Sequence, residues 1–506
     1  MPASFLHGVE VAEVTSGPLP VTVVKSAVTG LVGTAPIWNV SNPPAVQTPK
    51  LVSSAVDAAQ FGPLIKGYTI PYALAAIQAQ GAGQAIVINV FDPAVHTSAV
   101  AATPYTLSTA TGSAGTINLG HMGVSQVVVT SDPAGTTYAA GTDYTLDAIK
   151  GVVTLIAGGG INAGATVLVS FNYADPSKVL DSDVIGTYAS GAYSGLQALK
   201  ITYGTMGFFA KILIAPGYSQ NPDVASALTT MAETLRAMAL VDSAPGTAFA
   251  TAIANRGTVG AGFDTSSNRA ILCYPQQVFV DRGLDPTTGA AVNANSVAPF
   301  SQYVAGAMAA KDLTNGYWWS PSNTQFEGSL GPDVPLYASI IDPDSDVNNL
   351  NAEGIVTVFN SFGTGLRVWG NRSAAYPTST APDNFICVRR TMDVIEESVE
   401  QAMLQFIDQP ISNALITAIL ASVNSFIRTL IQRGALVGGS ATYDPAENPP
   451  SQLAAGQLVF DIDVMPPPPA ERISFNVTID TNLLQQLGQT NPLGSALIGA
   501  SGTANS

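Results

Sequence analysis

The sequence predicts an α/β core, with a mostly parallel sheet and flanking helices, interrupted by an all-β insert. An α+β C-terminal part follows, and extended arms stand at both ends. Three observations predict this. Strand-like and helix-like segments alternate from residue 204 to residue 313, the spacing of parallel strands joined by crossover helices. Residues 95–182 change to short strands rich in Thr, Ser and Val between Gly, Asp-Pro and Asn-Ala turns, as in a β-sandwich. Near each end, a strictly alternating apolar segment is held off by a proline-containing tether.

Taken in order, residues 4–11 place Phe5, His7, Val9 and Val11 on one side of an extended segment, and the turn-rich "SGPLP" follows, ending at Pro20. "PVTVVKSAVTGLVGTAP" reads as strand and loop, "PYALAAIQAQ" as a short helix, and "QAIVINVF" at 84–91 as a strand. Inside the insert, "VSQVVVT", "TDYTL", "GVVTLI" and "ATVLVSFNY" are strands. The core resumes with strand "GFFAKILI", a helix from Pro222 with Asn221 as N-cap, and strand "AMALVD". A helix near 247–255, strand "RAILCYP" and a helix over 299–313 complete it. In the C-terminal part, Ile395, Val399, Ala402, Met403 and Phe406 form a helical apolar face opposite Glu396, Glu397 and Glu400, with acids crowding the first turns. A second helix carries Leu415, Ile416, Ile419, Leu420, Val423, Phe426, Ile427, Leu430 and Ile431 at i, i+3, i+4 spacing, ends at Arg433 and Gly434, and should pack with the first as a hairpin. "GQLVFDIDV" is a strand in which Leu458, Phe460, Ile462 and Val464 alternate against Asp461 and Asp463. After Pro466–Pro469 comes "AERISFNVTID", where Ile473, Phe475, Val477 and Ile479 alternate with Arg472, Ser474, Asn476 and Thr478.

At 506 residues the chain is long enough for several domains, yet only 11% of its residues are charged while 46% are hydrophobic. Ordinary surfaces carry about twice that charge, so much of this surface is expected to be covered by partners. A net charge of −16 with no Lys/Arg stripe argues against nucleic acid and anionic membranes. Cys273 and Cys387, in apolar strand-like settings ("RAILCYP", "NFICVRR"), read as free buried thiols in a reducing compartment. The first eleven residues lack a basic segment followed by an apolar one, so no signal peptide is expected. Residues 414–431 are interrupted by Ser422, Asn424, Ser425 and Arg428 and read as a core helix rather than a membrane span.

No catalytic, cofactor-binding or metal site emerges. The three histidines, His7, His96 and His121, lie in the arm, a turn and the insert, away from the carboxyl ends of the sheet strands. "GAYSG" around Ser194 puts the serine one place late for a nucleophile elbow, and no phosphate-loop motif occurs. Asp342, Asp344, Asp346, Asn348 and Glu353 fit five positions of a calcium-loop frame, but Val347 stands where the turn needs glycine and the preceding "PLYASII" at 335–341 reads as a strand rather than a helix, so a loop capping the next helix is expected. Trp318 and Trp319 read as packing anchors.

The arm strands bear on assembly. An unpaired strand exposes N–H and C=O groups that a sheet edge of another copy would satisfy, and polyproline spaces without donating bonds. The strand carrying Leu458, Phe460, Ile462 and Val464 is the candidate receiver for arm residues Phe5, Val9, Val11, Ile473, Phe475, Val477 and Ile479. Such donation closes into rings or propagates as a helix. On the residues alone, folding back within the chain is equally open.

Several segments, in order, resemble the tail sheath proteins of contractile phage tails: "FLHGVEV" at 5–11, "GLVGTAP" at 30–36 and "FFAKILIAPGYSQNPDVASAL" at 208–228. The likeness continues with "GTGLRVWGNRSA" at 363–374, "FICVRRTMDVIEESV" at 385–399, "GALVGG" at 434–439 and "PPPPAERISFNVTI" at 466–479. Residues 115–173 resemble small immunoglobulin-like modules of virion proteins. The resemblance implies an N-terminal arm over 1–20, a core over 21–94 and 183–380, an insert over 95–182, a C-terminal sheath domain over 381–465, and an arm and tail over 466–506. It further implies a virion protein made in the host cytoplasm, with no cofactor, no nucleic acid and no membrane insertion. Its copies would form hexameric rings in a helical sheath around a tail tube protein, between baseplate and tail terminator proteins, with C-terminal helices facing the tube. Contraction would drive the tube through the host envelope. The rival classes are another self-assembling virion or surface-array protein, and a hydrolase with a polar cleft at the strand ends.

Overall fold

The computed structural model describes residues 21–81, 83–110, 115–360 and 363–487. The chain divides after Pro469 into two units. In the first, the elements in order are β1 (Val28–Gly33), β2 (Lys50–Val52), α1 (Ile70–Ala79) and β3 (Gln84–Asn89). The insert follows as β4 (Thr97–Thr106), β5 (Thr116–Asn118), β6 (Val124–Ser131), β7 (Thr137–Tyr138), β8 (Tyr144–Asp147), β9 (Val152–Leu155) and β10 (Thr166–Ala174). The core returns with β11 (Ile212–Ile214), α2 (Pro222–Leu235), β12 (Met238–Asp242), β13 (Ala270–Cys273), α3 (Phe300–Thr314), β14 (Thr324–Gln325), β15 (Ile355–Asn360) and β16 (Leu366–Trp369).

One nine-stranded sheet carries the core, in the order β14-β16-β15-β13-β12-β11-β1-β3-β2. Pairing is parallel from β3 through β1, β11, β12 and β13 to β15, and antiparallel where β2, β16 and β14 complete the edges. The central strands are continuous apolar runs because both faces are covered. Helices α1 and α3 pack over Leu31, Val87, Ile214 and Leu240 on one face, and α2 packs over Val28, Ile86, Ile88 and Leu213 on the other. The close approach of α1 and α3 requires Gly306, where a Cβ would lie 2.6 Å from Gln80 Cγ and 3.0 Å from Ile77 Cα.

The insert forms two sheets, β4-β10-β6-β7 and β5-β9-β8, around a core of its own that includes Ile117, Val129, Val153, Val169 and Phe171. It seats on the core through the turn after His121. There the Met122 N–H donates to Pro286 O at 2.8 Å, and Gly123 lies so close to the Trp38 ring that a Cβ would come within 2.8 Å.

The C-terminal part contains α4 (Ile386–Met403), α5 (Asn413–Gln432), β17 (Gly438–Thr442) and β18 (Asp461–Met465). Ser412 caps α5 by accepting from Leu415 N–H at 3.2 Å, and Gly434, at φ +77°, ends it. By length and composition α5 is apolar enough to cross a membrane. Its apolar stripe is packed against Ile395 of α4 and the two strands.

Three expectations are corrected. Cys387 is helical, not strand-like: α4 starts at Ile386, because "FICV" is too short to show a period and the Arg389–Asp393 pair at 2.8 Å continues it as a helix. Its first turn therefore carries no acid, and Asp393 and Glu397 are buried mid-helix rather than solvated. "PLYASII" at 335–341 forms no strand; it is a loop in which Tyr337 Oη donates to Asp342 and Ser345 caps the next short helix. Residues 470–480, for which the sequence left the strand partner open, join no ladder among the described residues.

Asp242 ends β12 at the start of α3. Its carboxyl accepts from Ser301 N–H at 2.7 Å, Ser301 Oγ at 2.5 Å and Ser219 Oγ at 2.9 Å. Burial raises its pKa to about 6, overriding those bonds, which pull it down. The folded state thus holds this proton more tightly than the unfolded chain. The resulting stability is fully present below about pH 4 and is lost as pH rises through about 6, amounting to about 3 kcal/mol. Asp242→Asn is expected to remove that component of the slope, which calorimetric unfolding of both proteins from about pH 4 to about pH 7 checks.

Candidate assembly interface

Helix α4 joins two cores: Ile386 belongs to the core under α1 and α3, and Ile395 to the one shared with α5. Between them its polar residues meet the α/β body. Arg390, 4% exposed, forks onto Asp312 of α3 at 2.8 and 2.5 Å and also donates to Ser26 O. Asp393 accepts a fork from Arg269, both bonds at 2.7 Å, and a bond from Arg389. Glu397 pairs with Lys211, whose ammonium is also tied to Leu235 O at 2.8 Å. Burial pushes the Lys211 pKa down while Glu397 holds it up. At the rim Arg236 forks onto Glu400 at 2.5 and 2.7 Å, which lowers the Glu400 pKa.

The first described residues and the C-terminal tether both adjoin this region. Val24 N–H donates to Ser398 of α4, and Val21–Val23 line a groove of about 520 Å³ along α5 with Ser425, Phe426 and Thr429. The other tether begins at Pro466, straight after β18. Among the described residues, strands β17 and β18 pair only with each other, Gly438 opposite Met465 through Thr442 opposite Asp461. Two asparagines finish this small sheet. Asn424 of α5 bonds both backbone groups of Ala441 at 2.9 Å, and Asn448 bonds both of Val459, at 2.8 and 3.0 Å.

The predicted residues fall as follows. Ile462 and Val464 lie in β18, while Leu458 and Phe460 precede it; Leu458, Phe460 and Val464 rest against the helix core. Ile473, Phe475, Val477 and Ile479, in the second unit, are 69%, 85%, 89% and 90% exposed. Phe5, Val9 and Val11, like His7, lie outside the described residues. Sequence reasoning missed Asn424 and Asn448; the one signal was a polar residue breaking the apolar run of α5.

A cavity of about 500 Å³ does lie at the carboxyl ends of the core strands, lined by Tyr72, Gln276, Asp281 and Gln302 among others. Its carboxylate, Asp281, already accepts from Tyr72 Oη and Gly283 N–H at 2.8 Å, and no histidine or cysteine lines it. His96 is held by Asp92 N–H and Asp183, and His121 stacks on Tyr173 at 3.8 Å. Among the described residues no group of three His, Cys, Asp or Glu is placed to hold a metal.

Solved structures share this architecture. The chain superimposes with a TM-score of 0.56 on a sheath subunit of an extracellular contractile injection system in its contracted state, covering 96% of this chain and all of that one at 16% identity. The contracted helical sheath of the anti-feeding prophage gives 0.56 at 17% identity over 94% of this chain and all of the other. The fold is thus that of contractile sheath subunits. In sequence, the tail sheath protein of Burkholderia phage BcepMu is 49% identical over 490 residues, 96% of this chain and 99% of that protein. That of Escherichia phage P2 is 25% identical over 307 residues, 60% of this chain and 72% of the other. Family models for the phage tail sheath central domain and C-terminal domain match residues 191–374 and 378–480, and a model of a protein family of unknown function matches 93–180. The chain belongs to the phage tail sheath family: it is a structural component of the contractile virion tail and not an enzyme.

Because Arg390 and Asp312 are both buried, removing either leaves an uncompensated charge. Arg390→Ala and Asp312→Ala should each destabilise by about 3–5 kcal/mol. The double variant should lose less than the sum, as urea unfolding of the three proteins will show.

Proposed function

We propose that copies of this chain polymerise as stacked hexameric rings around an inner tube protein, between baseplate and terminator proteins, and that contraction drives the tube through the host envelope. Assembly takes place in the host cytoplasm, and the insert is an immunoglobulin-like decoration with no part in the shared lattice. The carrying observation is the complementarity of two incomplete elements: a two-stranded sheet beside a tether, and an alternating apolar segment exposed on its own chain. Residues 473–479 of one copy complete the sheet of a neighbour at β18, and the N-terminal strand of residues 4–11 makes a second link. Four apolar side chains in the C-terminal arm and three in the N-terminal one, at about 1.5–3 kcal/mol each when buried, make one joint modest and a lattice of them strong. The ion-paired seat of α4 supports rigid-body reorientation of subunits, with the tethers keeping the copies connected.

Electron microscopy of negatively stained full-length protein should show hollow striated tubes. Chains lacking residues 1–18 or 470–506 should remain as monomers or small rings. Tubes of normal length from both truncations would overturn the woven-arm reading.

A further inference from the structure

A small antiparallel pair of strands, Gln277–Asp281 and Ala294–Ala298, comes between β13 and α3 in the chain, with Phe279 opposite Ser296 and Asp281 opposite Ala294. Side chains alternate along it, so Phe279, Asp281 and Ser296 share one face, while Val280, 43% exposed, stands on the other. The first face lines the cavity of about 500 Å³ at the carboxyl ends of the core strands, the place where open α/β sheets take ligands. Helix α1 brings Tyr72 to the same lining, its ring edge-on to Phe279 with centroids 5.7 Å apart.

Asp281 is only 2% exposed, and no cation among the described residues pairs with it. A buried carboxylate in that state is costly. Its bonds are unevenly spread: Tyr72 Oη and Gly283 N–H both donate to Oδ1 at 2.8 Å, while Oδ2 receives only Ser296 Oγ, at 3.3 Å. Gly283 preserves the arrangement, since a Cβ there would lie 2.1 Å from Tyr72 Oη. Two more acceptors are left over. Gln220, after β11, has its side-chain oxygen buried without a partner, and Gln276 bonds Ser243 O through its amide nitrogen at 2.7 Å, which leaves its carbonyl oxygen. Lys66, the cation on the lining, is exposed, and its charge acts on Asp285.

We propose that this cavity binds a guanidinium group, carried by a small solute or by an arginine of a second copy. A guanidinium offers N–H donors to Asp281 Oδ2, Gln220 and Gln276, and its flat cation suits the rings of Phe279 and Tyr72. The site stands whether or not the terminal arms link copies.

Methylguanidinium chloride is the probe, and N-methylurea, its neutral isostere, is the control; each is titrated into the full chain and followed by saturation-transfer NMR. Methylguanidinium should bind at least about tenfold more tightly than methylurea, and Asp281→Asn should abolish that preference. Equal binding of the two probes by the unaltered protein, or an unchanged preference in a folded Asp281→Asn variant, overturns the proposal. Should circular dichroism show that Asp281→Asn does not fold, Phe279→Leu decides together with the probe comparison. It should weaken methylguanidinium binding severalfold, and unchanged affinity overturns the assignment of the site. Assembled tubes separate the two sources, either of which upholds the proposal: an arginine of a second copy makes tubes refuse a probe that the unassembled chain binds, whereas a solute site takes it in both.

Discussion

The ion-paired seating of α4 on the α/β body is the constraint on which the rest depends. Arg390, Asp393 and Glu397 are buried charges on one helix, each tolerable only because a base or acid from a distant part of the chain meets it. Asp312 comes from α3, Arg269 from the strand edge before β13, and Lys211 from just before β11. Shifting α4 by a turn would strand several charges at once. Core and C-terminal helices are therefore locked in one arrangement, and large motion has to be taken up where the chain leaves them.

This also bears on the low charge content. Of 19 Lys and Arg residues, Lys211, Arg236, Arg269, Arg389 and Arg390 are engaged around α4. The other 14 are all that the rest of a 506-residue chain carries. The small C-terminal sheet shows the same economy. Two strands are marginal alone, and here they are held by the helix core beneath and by asparagine amides standing in for missing strand partners.

Much of the core was legible because burial on both faces leaves a mark: β3, β12 and β13 are unbroken apolar runs between turn residues. The insert was legible from its turns. Strand β18 was visible in the alternation of Leu458, Phe460, Ile462 and Val464, of which the last two lie in it. What could not be read were long-range pairings. The period of α4 places Glu397 beside exposed glutamates, and nothing local says that Lys211, 186 residues earlier, waits for it. Asn424 likewise looks like a blemish on an apolar helix until Ala441 is seen to need its amide.

Residues 473–479 mark a different limit. A β-strand is defined by its partner, so a segment with strand alternation and no ladder partner among the described residues shows no strand there. Four prolines before it remove four donors, and an extended polyproline run of that length spans about 12 Å without turning back, which disfavours a tight hairpin onto β18.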